Sequence, residues 1–127
     1  MKLRLKDNSI RFRLLRGEVE VLAETGRIEA HTILSLTEDK ERIAYSIEHD
    51  DRYRSIGVTC VGCDIRVTVP SREILAWANG EAIGLYGEQP IHGNQKLIIM
   101  IEKDLACADR SDADNSDTFA NPKALAC

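Results

Sequence analysis

Aromatic residues are scarce in this chain, with one Trp, three Tyr and two Phe among 127 residues. So few rings argue against a surface that stacks on bases. The formal net charge of −4 argues against a globally basic nucleic-acid binder. No apolar run approaches the ~20 residues of a membrane helix. The longest, Leu97-Ile98-Ile99-Met100-Ile101, is the size of a strand. There is no Gly-rich phosphate loop, no G-x-S-x-G and no H-E-x-x-H. His31, His49 and His92 stand alone, and no nucleophile, acid and base can be named that would meet. The sequence therefore leans away from an enzyme, assigns no catalytic residue and identifies no cofactor.

What is present is strand-like alternation. Residues 2–6 read Lys-Leu-Arg-Leu-Lys and residues 10–14 read Ile-Arg-Phe-Arg-Leu, with the turn cluster Asp7-Asn8-Ser9 between them. Two alternating runs joined this way predict a β-hairpin. Leu3, Leu5, Ile10, Phe12 and Leu14 fall on one face, and Lys2, Arg4, Lys6, Arg11 and Arg13 on the other. A helix is predicted over 17–25 with Gly26 past its end, then strands over 27–34 and 41–48. The same order recurs with strands at 56–61 and 64–69, a helix opened by Pro70, and strands at 82–86 and 95–103. Residues 87–94 read as a loop. At an offset of 55, Ile10, Arg11, Glu18, Ala23 and Ile28 match Ile65, Arg66, Glu73, Ala78 and Ile83. A random offset would give roughly one identity over such a span.

The expected fold is α+β, with duplicated ββαββ units forming one curved antiparallel sheet or an eight-stranded barrel with two helices. Joining the halves (roughly 1–50 and 51–103) would cover their sheet edges. Residues 104–127 turn polar, and Leu105, Phe119, Asn121-Pro122 and Leu125 suit a tail packed on that domain. Alternation begins at Lys2 and leaves no room for a signal peptide, so a cytoplasmic protein with no membrane association is expected.

The chain resembles a family of small uncharacterised bacterial proteins. The resemblance rests on Lys2-Leu3-Arg4-Leu5-Lys6-Asp7-Asn8-Ser9-Ile10-Arg11, on Glu18-Val19 with Leu22-Ala23-Glu24-Thr25-Gly26, and on Ile101-Glu102-Lys103-Asp104, Cys107, Asp117, Asn121-Pro122 and Cys127. It implies a self-contained domain with an ordered tail and no particular activity. In architecture the duplicated plan also resembles the CYTH-like triphosphate-tunnel proteins. Those carry alternating glutamates and a lysine on the first strand, where this chain has Lys2, Arg4 and Lys6. The missing acidic ligands speak against triphosphate hydrolysis, and likeness of fold is no evidence of reaction.

Two groups of residues could carry chemistry. The first is the basic hairpin face of Lys2, Arg4, Lys6, Arg11 and Arg13, with Arg66 at the position matching Arg11. Like charges ~5 Å apart across a ladder repel. A phosphorylated small molecule would relieve that repulsion, with arginines clamping its oxygens, and an acidic protein is an alternative partner. Equally, the face could be solvated or paired with Glu29, Glu48 or Glu102. The second group is the four cysteines. Cys60-Val61-Gly62-Cys63 has the geometry of a zinc knuckle, and Cys107 and Cys127 could complete a metal site, pair with each other, or stand as unrelated thiols. Alternation also places Cys60 beside Val58 as a small apolar residue. Asp112, Asp114, Ser116 and Asp117 resemble the start of a calcium loop. Asp117 replaces the required Gly and Lys123 the closing Glu, which excludes an EF-hand.

Overall fold

The computed structural model describes residues 1–37 and 40–123. It contains β1 (Lys2–Lys6), β2 (Ser9–Leu14), α1 (Arg16–Thr25), β3 (Arg27–Ile33), β4 (Arg42–Asp50), β5 (Gly57–Val61), β6 (Asp64–Pro70), α2 (Ser71–Asn79), β7 (Gly84–Ile91), β8 (Gln95–Lys103) and the short α3 (Asp112–Asn115). A 3-10 turn at His92–Asn94 joins β7 to β8.

The eight strands form two four-stranded sheets, ordered β1-β2-β8-β7 and β3-β4-β6-β5. This corrects the expected single sheet or barrel, because among the described residues no ladder joins the two sheets and the barrel is not closed. It also corrects the expected antiparallel pairing. Outer pairs are antiparallel, but β2 runs parallel to β8 and β4 parallel to β6. Each sheet thus combines a hairpin from the first half of the chain with one from the second. The chain changes sheets through a helix each time, β2-α1-β3 and β6-α2-β7. Such crossings allow parallel pairing, which a tight turn cannot provide.

Residues 84–91 form a full strand where a loop was expected over 87–94. Pro90 misleads there. β7 lies at a sheet edge, where a residue without an N–H interrupts no ladder.

The inner faces of both sheets and one side of each long helix share a core. Phe12, Leu14, Ile47, Val67, Val69, Ile74, Ile99 and Ile101 are fully buried there, with Val19, Leu22 and Trp77 from the helices. At one seam the sheets are stitched by a side chain. The Gln89 amide accepts from Val58 N at 2.6 Å and donates to Val58 O at 3.0 Å, so it satisfies edge groups of β5 from β7. Gly87 permits the approach, since a Cβ there would lie 1.8 Å from Ile56 Cγ2.

Residues 104–121 return to the domain. Asp104 N donates to Leu14 O, Phe119 N to Asp104 O, and Arg16 N to Asp117 O. The Asp117 carboxylate also accepts from Gly17 N at the start of α1, and Asn121 Nδ2 donates to Ala106 O. Among the described residues, no helix is long and apolar enough to cross a membrane.

Candidate functional site

The outer face of the first sheet is set by strand alternation and register. Arg4 faces Arg11 across β1-β2, Arg11 faces Met100 across β2-β8, and Met100 faces Tyr86 across β8-β7. A row of Arg4, Arg11, Met100 and Tyr86 therefore crosses all four strands. Lys6, Ser9, Ile98 and Glu88 form the row on one side of it. Lys2, Arg13, Glu102 and Gly84 form the row on the other.

The cations on this face divide into matched and unmatched groups. Lys2 Nζ lies 2.7 Å from Asp104 Oδ2, and the Asp104 carboxylate also takes Arg110 at 3.2 Å. Asp104 is buried, which alone would raise its pKa. The two cations outweigh burial and hold the carboxyl below its ordinary value. Arg13 Nε stands 3.9 Å from Glu102 Oε2, and Arg11 Nε 3.3 Å from Glu102 Oε1. One carboxylate is thus shared by two guanidinium groups. Arg4 and Lys6 have no acidic partner among the described residues.

Arg11 is paired but imperfectly satisfied. Its Nε is buried without an aligned hydrogen bond, although Glu102 is near enough for an ion pair. Its Nη2 donates to Met100 Sδ at 3.7 Å, and a thioether is a weak acceptor. Arg4, Lys6, Ser9, Arg11 and Met100 line a pocket of about 230 Å³. The Ser9 hydroxyl is turned to Lys6 O at 2.6 Å.

Arg66 is not part of this cluster. It lies on the outer face of the second sheet, where it lines a small pocket of about 70 Å³ with Arg27, Glu29, Arg42, Ser46 and Asp64. Arg27 there sits 3.0 Å from Glu48 and 2.5 Å from Glu29, and Tyr53 Oη donates to Glu48, whereas Arg42 and Arg66 make no direct ion pair among the described residues. The hydrogen bond from Tyr53, helped by the nearby cations, lowers the Glu48 pKa despite partial burial. Among the expected pairings, then, Glu102 serves the basic hairpin, whereas Glu29 and Glu48 serve Arg27 on the other sheet.

The cysteines are also dispersed. Cys60 and Cys63 are exposed free thiols on the β5-β6 hairpin. Cys107 is buried beside the C-terminal segment and disulfide-bonded. Asn115 brackets its backbone, accepting from Cys107 N at 3.0 Å and donating to Cys107 O at 2.8 Å. Cys127 lies outside the described residues. Among those described, no three His, Cys, Asp or Glu side chains gather to hold a metal.

Sequence reading missed Met100, Ser9 and Tyr86. The scarcity of rings argued against a surface that stacks on bases, yet Tyr86 shares the face of the basic hairpin. The alternation Gly84, Tyr86, Glu88 carried the orientation, but nothing local placed β7 and β8 beside β2.

No curated protein and no solved structure matches the chain significantly. A family model, the Family of unknown function (DUF7009), matches residues 1–123, nearly the whole sequence. The chain belongs to that family of unknown function.

Proposed function

We propose that this chain is a binding domain and that the outer face of its first sheet holds a phosphate-containing ligand. Arg4, Lys6 and Arg11 supply the charge, and Arg13 and Lys2 flank them. Arg66 is excluded by its place on the other sheet. The observation that carries this reading is the state of Arg11. Its buried Nε lacks a hydrogen bond, its Nη2 is spent on a sulfur, and Arg4 and Lys6 stand beside it without acidic partners. Arg4, Lys6, Arg11 and Arg13 share this face with two carboxylates, Glu102, which is divided between Arg11 and Arg13, and Glu88, which is taken by Lys96, in a chain of net charge −4. An oxyanion would take the outward donors of Arg4, Lys6 and Arg11 and lower the mutual repulsion, while the buried Arg11 Nε stays turned to Glu102.

Titration calorimetry with pyrophosphate tests the reading. Binding is expected at low salt and should weaken steeply as ionic strength rises. Arg4→Ala with Arg11→Ala should abolish it, with circular dichroism confirming that the variant folds. No binding of pyrophosphate at low salt, or undiminished binding by the folded double variant, would overturn the proposal.

A further inference from the structure

Beyond the charged pocket, the same face carries the only exposed aromatic side chain among the described residues, Tyr86. It is 60% exposed. Its ring leans along β7 into the space above Gly84, where a Cβ would come within 2.1 Å of Tyr86 Oη and 2.3 Å of Cζ. Glycine two residues earlier therefore lets the ring lie down against the strand and leaves its outer face to solvent. Along the row, Met100 alone separates Tyr86 from Arg11; Ile98, 37% exposed, flanks Met100 on one side, and Glu102 flanks it on the side toward which the ring leans.

Strands stand ~4.8 Å apart, so the Tyr86 backbone is about 10 Å from that of Arg11 and about 14 Å from that of Arg4 along the row. A flat ring laid on Tyr86 could direct an attached phosphate chain over Met100 to the two arginines. From this juxtaposition we infer that the ligand is a nucleoside phosphate, its base stacked on Tyr86 and its phosphates held by Arg4, Lys6 and Arg11. This identification rests on the anion-binding reading above and names its ligand class. A free nucleotide and a nucleotide within a single strand present the same chemistry, base stacking and phosphate charge, to this face.

Calorimetry with pyrophosphate, ADP and the oligonucleotide rA8 tests the inference on the wild-type chain and on Tyr86→Ala and Tyr86→Phe. ADP should bind roughly tenfold or more tightly than pyrophosphate, the gain expected of one stacked base. Tyr86→Ala should reduce ADP to the level of pyrophosphate and leave pyrophosphate unchanged, while Tyr86→Phe keeps the preference. Tyr86 is exposed, so its loss should leave the fold intact. Tighter binding of rA8 than of ADP, lost in Tyr86→Ala, would assign the nucleotide to a strand; equal or weaker binding of rA8 would assign it to the free form. Equal affinity for ADP and pyrophosphate, unmoved by Tyr86→Ala, would overturn the inference and leave the anion site standing. Failure of all three ligands to bind would overturn both.

Discussion

Asp104 and Lys103 are adjacent buried residues whose charges meet opposite surroundings. Asp104 has two cations, and its pKa is depressed although burial pushes the other way. A depressed carboxyl stabilises the fold above its unfolded value of 3.8 and loses that contribution as pH falls through 3.8 toward the folded value. Lys2 and Arg110 can be rehydrated when the carboxylate is removed, so Asp104→Ala should cost about 2 kcal/mol, less than an enclosed pair would. Urea unfolding at neutral pH checks the cost, and the gap to wild type should shrink in acid. Lys103, only 6% exposed, has no carboxylate partner among the described residues. Its Nζ donates to Gly80 O at 2.7 Å, at the end of α2, and lies 5.7 Å from the Trp77 ring and 5.3 Å from that of Phe119. Burial lowers its pKa from 10.5. The unfolded chain then binds more protons than the folded one between the folded value and 10.5, so stability rises with pH across that window. Lys103→Met should remove this alkaline gain, as seen in unfolding free energies measured from neutral pH upward.

At the scale of elements, the helices are held at their ends and the sheets at one seam. His49 ties the end of α1 to the start of α2. Its Nε2 can only donate to Leu22 O, at 3.0 Å, so in the neutral ring Nδ1 accepts the Ser71 hydroxyl at 2.9 Å. Gly26, at φ 84°, ends α1 in the left-handed conformation that glycine adopts without penalty. At the seam, Gly87→Ala would press a methyl onto Ile56, and we expect a loss of about 1–3 kcal/mol by overpacking. Gln89→Leu should cost about 1–2 kcal/mol, because it leaves the Val58 N–H and C=O without their partner. Chemical denaturation of both variants checks these values. Raised amide exchange at Val58 in Gln89→Leu would separate the lost hydrogen bonds from simple crowding.

These elements also show where the sequence was readable. The β1-β2 hairpin and its two faces follow from alternation and a short turn, both local signals, so Arg4 and Arg11 could be placed together. The parallel pairings could not be. Alternation looks the same in parallel and antiparallel strands, and β2 meets β8 across most of the chain. Met100 and Tyr86 entered the site through that pairing alone. Arg66 was joined to the site because it matches Arg11 at the 55-residue offset, yet the two positions belong to different sheets.

The pattern of sheets decides how the whole molecule holds together. Each sheet needs a hairpin from both halves, and its central seam, β2-β8 or β4-β6, joins them. Residues 1–50 alone would keep the β1-β2 and β3-β4 hairpins but leave β2 and β4 each with an unpaired edge. They would also bare Phe12, Leu14 and Ile47, which are fully buried in the intact chain. An isolated hairpin is marginal in water, and two of them with one short helix do not enclose a core. We therefore expect residues 1–50 to show no cooperative thermal transition on their own. Mixing them with residues 51–127 should restore β-sheet circular dichroism and a sigmoidal melt, because the break falls in the exposed turn around Arg52 and cuts neither central seam. Folding of the isolated 1–50 segment as a cooperative monomer would show that the exchanged hairpins decorate two self-sufficient halves and do not bind them into one unit.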